Sequence, residues 1–223
     1  MGLILLIDTA LEVASVGIAR EGILLCKREN AKQNDHAAWL HVAIQEVLTE
    51  AEIDIHQLDA VGIIGGPGSY TGLRVGMAAA KGICYAQNIP LISVSTLRLL
   101  ATSVQDEEAD LIIALIDARR DEVYAGAYDR AGNVMLPEQA MRLTPESFQD
   151  ICKGKKVVLT GNGASKTIEK LTNKDLFLSD PKHTVKNLAE ITYKKFINSD
   201  FSDLAYHEPA YLKDFYTTAK VNQ

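Results

Sequence analysis

The sequence has few cysteines, and their arrangement excludes the scaffolds that cysteines usually build. Cys26, Cys84 and Cys152 are odd in number and widely separated along the 223 residues. Disulfide frameworks and zinc clusters need paired or closely spaced cysteines. We therefore expect buried or idle free thiols in a reducing compartment, and we predict a cytoplasmic protein with no metal site.

Long hydrophobic runs are also missing. The longest apolar runs, Leu3–Ile7 and Leu111–Ile116, have the length of a buried strand. A membrane-spanning helix needs about 20 such residues. No basic stretch precedes the first run, so we expect neither a secretory leader nor a membrane partner.

The sequence has no excess of basic side chains, which a protein that grips nucleic acid by itself usually shows. It contains 23 Lys and Arg against 29 Asp and Glu, a net charge of −6. Residues 1–105 carry 7 basic and 10 acidic side chains, and residues 106–223 carry 16 and 19, so each half has a charge of −3. We therefore expect this protein to contact tRNA or other RNA only through a partner protein.

The chain contains two similar α/β patterns, and its 47% hydrophobic residues are typical of a globular protein. Each pattern opens with a buried strand that ends in an aspartate, Asp8 or Asp117, before a tight turn into an alternating strand. The repetition predicts a duplicated, two-lobed α/β fold with mixed sheets and a cleft, as in the actin-like ATPases (the ribonuclease H-like class). The predicted parts are residues 1–105, residues 110–205, and a closing helix or tail over 206–223 that packs back on the first lobe.

Hydrophobic periodicity and capping residues place the individual elements. Strands are predicted over 3–9, 13–20, 23–28, 59–64, 90–94, 111–117, 122–128, 156–160 and 176–178. Helices are predicted over 36–51, 71–87, 95–105, 145–153, 163–171 and 185–198.

In the actin-like plan, the turn after each lobe's first strand faces a phosphate, which needs glycines, hydroxyls and free backbone N–H groups. The turn at Asp8 and Thr9 offers one hydroxyl and no glycine, and the turn at Asp117 and Arg119 offers neither. We interpret both turns, together with Gly161 and Gly163, as degenerate nucleotide-cleft positions. No residue presents itself as a catalytic carboxylate, so we expect no catalytic residue and no cofactor; nucleotide binding at a partner interface stays open.

Residues 65–76 form a glycine-rich turn between a strand and a helix, with Ser69 or Thr71 as the cap. Such a turn can hold a phosphate at a helix N-terminus. It lacks the Gly-Lys-Ser/Thr ending of a P-loop and the spacing of a dinucleotide fingerprint. Phosphate binding and a purely structural turn are both open at this point.

Four segments together resemble the bacterial TsaB family, also called YeaZ. They are Ile7-Asp8-Thr9, the Gly-Pro-Gly-Ser-Tyr-Thr-Gly-Leu-Arg-Val-Gly block at 66–76, Ser93–Leu97 and Ile116–Tyr124. The resemblance is close over residues 3 to about 130, and Gly161-Asn162-Gly163-Ala164 is the last recognisable piece.

The resemblance implies an actin-like ATPase fold and a role in making threonylcarbamoyladenosine at adenosine 37 of tRNAs that read codons beginning with A. It implies that a TsaD-type subunit supplies the transferase chemistry and that a TsaE-type ATPase is a third member. TsaD-type enzymes hold a metal with two histidines four apart on a helix, whereas His36 and His41 are five apart and point about 140° away from each other. We therefore predict a non-catalytic subunit. The alternatives are an active small ATPase or phosphotransferase that uses the cleft and, more weakly, a peptidase that uses Ser69 or Ser93.

We predict that the partner surface lies on the two helices of the first lobe. Glycines inside a helix cost about 1 kcal/mol each relative to alanine, so Gly72, Gly76 and Gly82 indicate close approach of another backbone, either a partner's or the chain's own sheet. Arg74, in the first helical turn, is expected to meet a carboxylate, and the surface is expected to form a homodimer when the partner is absent. The predicted interface residues are Trp39, Ala43, Tyr70, Thr71, Gly72, Arg74, Gly76, Ala79 and Ala80.

Overall fold

The fold consists of two five-stranded mixed sheets with helices packed against them. The structure is a computed structural model that describes residues 2–32, 36–104, 108–172, 176–179 and 185–213. The predicted boundary between the lobes, residues 105–110, lies partly outside the described residues.

The first sheet has the strand order β3-β2-β1-β4-β5, and β1, β2 and β3 form the expected antiparallel meander. β4 and β5 add to it in parallel with β1. The strands are β1 (Leu3–Asp8), β2 (Ala14–Arg20), β3 (Ile23–Asn30), β4 (Ala60–Gly66) and β5 (Leu91–Ser95). The α-helices that follow β3, β4 and β5 are α1 (His36–Glu50), α2 (Tyr70–Gln87) and α3 (Thr96–Thr102).

The second sheet repeats this topology and confirms the predicted duplication. Its order, β8-β7-β6-β9-β10, is the order of the first sheet with each strand replaced by its counterpart, and the antiparallel and parallel pairings recur. Its elements are β6 (Leu111–Asp117), β7 (Glu122–Asp129), β8 (Val134–Arg142), α4 (Gln149–Cys152), β9 (Val157–Thr160), α5 (Ala164–Lys170), β10 (Leu176–Ser179) and α6 (Val185–Ile197).

Two local predictions for the second half were wrong. Strand β8 was missed because it is an edge strand with few buried side chains, and Pro137 within it is a residue that edge strands tolerate but central strands do not. Helix α4 has one turn instead of the predicted span 145–153, since residues 144–148 form turns capped by Ser147, whose Oγ accepts a hydrogen bond from the Thr144 N–H at 2.9 Å.

Helix α6 packs on the first sheet, although we had placed it in the second lobe. Its buried residues Val185, Leu188 and Ala189 join a core cluster with Ile4 and Leu6 of β1. The alternate β1 side chains join the opposite cluster with α1 and α2. Burial on both faces explains why β1 is an unbroken apolar run.

The chain after α6 crosses back over the first sheet as an irregular segment. We call residues 199–213 the C-terminal strap. Residues 206–213, part of the predicted closing helix or tail, contain no helix, and 214–223 lie outside the described residues. Ser202 forms an antiparallel bridge with Leu91 of β5, and the Ala210 N–H donates to the Gly65 carbonyl at 2.7 Å.

Helix α2 packs on the turn after β1 with almost no space between them. A Cβ atom added at Gly72 would overlap the Thr9 carbonyl oxygen, and one added at Gly76 would overlap the Thr9 Oγ1. At Gly82, by contrast, an added Cβ would meet nothing within 4 Å. The glycines at 72 and 76 are therefore explained by close contact with Thr9 of the same chain, not by a partner.

We expect the two kinds of glycine to respond oppositely to alanine. Gly76→Ala should lower the free energy of unfolding by about 1–3 kcal/mol, since overpacking a close contact forces the backbone apart. Gly82→Ala should raise it by up to about 1 kcal/mol through helix propensity. Urea unfolding of both variants checks this, and equal effects would contradict the assignment of Gly76 to the internal contact.

Candidate functional site

The glycine-rich turn before α2 is filled by the chain itself. Ser69 caps the helix as predicted, its Oγ accepting from the Gly72 N–H at 3.2 Å. The Ser69 N–H donates to the Ala10 carbonyl at 2.7 Å, and a Cβ added at Gly68 would overlap that same carbonyl oxygen. A bound phosphate would need this space and these N–H donors, so the turn serves to pack α2 against the rest of the lobe and is not a phosphate-binding site.

Asp8 and Thr9, predicted as cleft positions, are turned inward. Both are buried. Asp8 Oδ1 accepts a hydrogen bond from the Ala10 N–H at 3.0 Å, and Thr9 Oγ1 donates to the Gly72 carbonyl at 2.7 Å. Their polar atoms stabilise the turn that supports α2.

Asp117, the counterpart of Asp8 in the second lobe, is exposed and ion-paired. Lys166 Nζ lies 2.6 Å from its Oδ1, which also accepts from the Arg119 N–H at 2.8 Å. Partial burial works to raise the pKa of Asp117, but the hydrogen bonds from Lys166 and Arg119 outweigh it and hold that pKa below its ordinary value. The carboxylate is thus engaged by a lysine of its own chain.

Gly161 and Gly163 close the second lobe's loop against β6. Gly161 has a φ of 91°, in the left-handed region, and an added Cβ would overlap the Leu115 carbonyl oxygen. The Gly163 N–H donates to that same carbonyl at 3.1 Å. As in the first lobe, the glycines permit a close internal contact of backbone with backbone.

A cleft remains between the lobes, with a volume of about 380 Å³. Glu12 is the one charged side chain among the described residues that line it, and it is a carboxylate. A nucleoside triphosphate needs cationic side chains, a metal or free backbone N–H groups around its phosphates. The lining residues are Leu11, Glu12, Val13, Leu100, Gly161, Asn162, Ala164, Ser165, Leu178 and Ser179.

The side chains considered as nucleophiles are occupied or inert. Cys84 is buried, and desolvation raises the pKa of its thiol to about 12. Ser69 serves as the α2 cap. Ser93 and His207 both lie close to Gly65, but the buried His207 Nε2 has no hydrogen-bond partner among the residues that the structure describes, so Ser93 and His207 are not hydrogen-bonded as a nucleophile and its base.

The predicted partner residues divide into buried and exposed groups. Ala43, Gly72, Gly76, Ala79 and Ala80 are buried in the chain's own core, so they are not accessible to a partner, and we correct that part of the list. Trp39 is half-buried against the same core. Tyr70, Thr71 and Arg74 are exposed.

The exposed face of α2 includes Ala78, Gly82 and Tyr85, which the sequence analysis left out of the predicted interface. We call Thr71, Arg74, Ala78, Gly82 and Tyr85 the α2 outer face. All five are exposed, and the Tyr85 side chain is 82% exposed. Their spacing of three and four residues is the signal that could have identified them as one stripe.

Arg74 meets tyrosines and not the carboxylate that we expected. Its Nε donates to Tyr211 Oη at 2.9 Å, and its guanidinium carbon lies 4.0 Å from the centroid of the Tyr70 ring. The two rings lie 5.5 Å apart. These contacts raise the pKa of Arg74, the hydrogen bond from Arg74 to Tyr211 most of all.

Comparison with known proteins now assigns the family. The sequence model of the family "TsaD: tRNA N6-adenosine threonylcarbamoyltransferase" matches residues 29–219. The Escherichia coli K12 tRNA threonylcarbamoyladenosine biosynthesis protein TsaB is 35% identical over 136 residues, which are 58% of this chain and 56% of that protein. The chain belongs to the TsaD family, and within it to TsaB (YeaZ).

Solved structures agree with the family and the fold. YeaZ from Pseudomonas aeruginosa superposes with a TM-score of 0.80 at 26% identity, covering 95% of this chain and 100% of that one. The Listeria monocytogenes protein Lmo2764, provisionally assigned as an N-acetylmannosamine kinase, superposes with a TM-score of 0.51 at 8% identity, which shows the shared actin-like fold alone. By sequence, the matched region spans about half the length of the curated TsaB relatives.

The described residues of this TsaB family member contain no group of three His, Cys, Asp or Glu side chains placed to hold a metal ion. His41 is exposed on α1, and the side chain of His36 lies outside the described set. Across the described ranges, no helix is both long and apolar enough to span a bilayer.

We expect His207 to make stability depend on pH. Burial lowers the pKa of His207, and the positive charges of Lys81 and Lys195 lower it further. The negative charge of Asp203 works in the opposite direction but is the smallest of these effects. Below about pH 6.5 the unfolded chain therefore binds a proton that the folded chain resists, and stability falls with pH. His207→Gln should flatten this decline in urea unfolding between about pH 7 and pH 5, and His41→Gln serves as an exposed control. A decline equal to that of the wild type in His207→Gln would contradict the prediction.

Proposed function

We propose that the chain is a non-catalytic subunit in the formation of threonylcarbamoyladenosine on tRNA. A TsaD-type subunit carries out the transfer, a TsaE-type ATPase assists, and tRNA is contacted through the complex. The assembly works in the cytoplasm. Membership of the TsaB family supports the pathway, and the net charge of −6 supports the indirect contact with tRNA.

One observation carries the non-catalytic part of the proposal. The turn after β1, which would face a phosphate in an actin-like enzyme, is packed against α2 through the Thr9 and Ala10 carbonyl groups, and in the turn after β6 the Asp117 carboxylate is paired with Lys166. Among the described residues that line the remaining cleft, the charged side chain is the carboxylate of Glu12. These features favour a scaffold over an ATPase or phosphotransferase.

A reconstitution tests this proposal. The TsaD-type and TsaE-type proteins of the same organism are incubated with tRNA and the reaction's substrates, with and without this chain, and the modified nucleoside is measured by mass spectrometry. We expect product only when the chain is added, and none from the chain alone. We also expect its magnesium-dependent ATP turnover to equal that of a buffer blank.

The main rival has a distinct signature in the same experiment. An active ATPase would turn over ATP by itself and would lose that turnover in Asp8→Asn or Asp117→Asn. Such a result would overturn the scaffold proposal. Unchanged product formation without the chain would overturn the proposed role in the pathway.

The α2 outer face is the part of the predicted interface that remains accessible, and we propose it as the partner surface. Ala78 and Gly82 leave its centre bare, while Arg74 and Tyr85 stand on either side. No contact within the chain explains a glycine at position 82, whereas close approach of a second helix would explain it. Without the TsaD-type partner, the same face would pair two copies of the chain.

Gly82→Arg should therefore abolish both associations without harming the fold. The added side chain enters open space within one molecule but blocks the close approach of another. Capture of the TsaD-type protein and mass by light scattering measure the two associations. Ala131→Arg, in the exposed turn between β7 and β8, is the matched control. If Gly82→Arg still dimerises and still captures the partner, the interface lies elsewhere.

A further inference from the structure

The C-terminal strap places an aromatic side chain beside the α2 outer face, where it forms a cluster with two residues of α2. We call Tyr70, Arg74 and Tyr211 the arginine cluster. We propose that this cluster is a preformed binding site for a carboxylate on the surface of the TsaD-type partner, and that Tyr211 of the strap completes it. The proposal rests on the proposed function and extends it to a specific site.

The guanidinium group of Arg74 is held in one position. Tyr70 stacks on it with 4.0 Å between ring centroid and guanidinium carbon, and Tyr211 Oη accepts from its Nε at 2.9 Å. A long side chain normally loses rotamer freedom when it binds, which weakens the association. Because these contacts restrict Arg74 before any partner binds, much of the rotamer freedom of its side chain is already lost in the unbound protein.

The cluster is also accessible to another molecule. Tyr70 is 41% exposed, Tyr211 is 36% exposed, and Arg74 is exposed between them. The guanidinium has five N–H donors, so donation to the tyrosines leaves terminal donors for a further acceptor. Tyrosine and arginine are the side chains most often found where interface binding energy concentrates.

The charge of Arg74 is not matched by an acid within the described part of the chain. Arg28 shows the contrast, since it contacts Glu46 at 3.0 Å and Glu50 at 2.5 Å. Arg74 is held instead by the phenol side chains of Tyr70 and Tyr211. Its planar fork fits a carboxylate with two parallel hydrogen bonds.

The position of Tyr211 is fixed by anchors on both sides. Before it, the Ala210 N–H donates to the Gly65 carbonyl at 2.7 Å, and Lys81 Nζ donates to the His207 carbonyl at 2.8 Å. After it, Lys213 pairs with Glu122 at the start of β7. Tyr211 is therefore a built part of the α2 surface, supplied from the far end of the sequence.

A phosphate could also bind a guanidinium fork, and the surroundings favour the protein carboxylate. The α2 outer face continues from Arg74 into Ala78, Gly82 and Tyr85, which offer apolar contact and no second cation. Nucleic acid binding draws on several basic side chains together. We therefore assign the site to an acidic side chain of a protein partner, and tRNA phosphate becomes an outcome of the test.

The test measures the affinity of full-length variants for the purified TsaD-type protein of the same organism by calorimetry. Arg74→Ala should weaken binding by about 10- to 100-fold and Tyr211→Ala by about 10-fold, as expected for central anchors. Tyr211→Phe, which loses the hydrogen bond but keeps the ring, should lose about 3-fold. The double variant Arg74→Ala/Tyr211→Ala should bind as Arg74→Ala does, because Tyr211 acts through Arg74.

Arg74→Lys tests the chemistry of the site. Lysine keeps the charge but loses the fork and the stacking, so we expect a loss close to that of alanine. The wild-type affinity should weaken between about 0.05 and 0.5 M salt, and the dependence should be shallower in Arg74→Ala because one ion pair is missing. Circular dichroism and thermal unfolding establish that each variant is folded.

The other outcomes separate this inference from the proposed function. If Arg74→Ala and Tyr211→Ala bind like the wild type while Gly82→Arg does not bind, the inference fails and the proposed partner surface stands. If the wild type itself does not bind the TsaD-type protein, the proposed function fails. If the variants lose only self-association or only binding to free tRNA, the occupant is a second copy or a phosphate, and the inference is overturned.

Discussion

The contact between α2 and the turn after β1 is the constraint on which the first lobe depends. Backbone meets backbone at Gly68 and Gly72, and at Gly76 the helix meets the Thr9 hydroxyl; hydrogen bonds from Ser69 and Thr9 fix the contact. Because nothing larger than hydrogen fits there, the helix lies at one distance and in one orientation on the sheet. The exposed stripe of α2, with Arg74 and Tyr85 on it, is oriented by this buried contact.

The same contact determines what surrounds the turn after β1. The Thr9 and Ala10 carbonyl groups of this turn face α2, so the turn supports a helix. In the second lobe, Gly161 and Gly163 allow a close contact of a different loop with the Leu115 carbonyl of β6. In both lobes glycines thus allow close contacts within the chain beside the remaining cleft.

The sequence predicted the repeated topology well, since strand-end aspartates and glycine turns are local signals that need no knowledge of the other half. It did not show β8, whose side chains are mostly exposed and so lack an alternating pattern. The sequence also placed α6 with the second sheet. The apolar residues Val185, Leu188 and Ala189 indicate that one face of the helix is buried, but not which of the two sheets it packs against. At the site, Arg74 was identified from its place in the helix, but its partner Tyr211 is 137 residues away and carries no local signal.

The strap has a consequence for how the protein behaves in concentrated solution. β5 is the outer strand of the first sheet, and an uncovered outer strand offers its backbone to strands of other molecules. Ser202 occupies that edge by pairing with Leu91 and by accepting from the Ser93 N–H through its hydroxyl at 3.1 Å. A chain that ended before residue 199 would bare this edge next to Ile92 and Val94, which are buried in the intact protein. The strap therefore also guards against sheet-to-sheet aggregation, a task separate from any partner that it helps to bind.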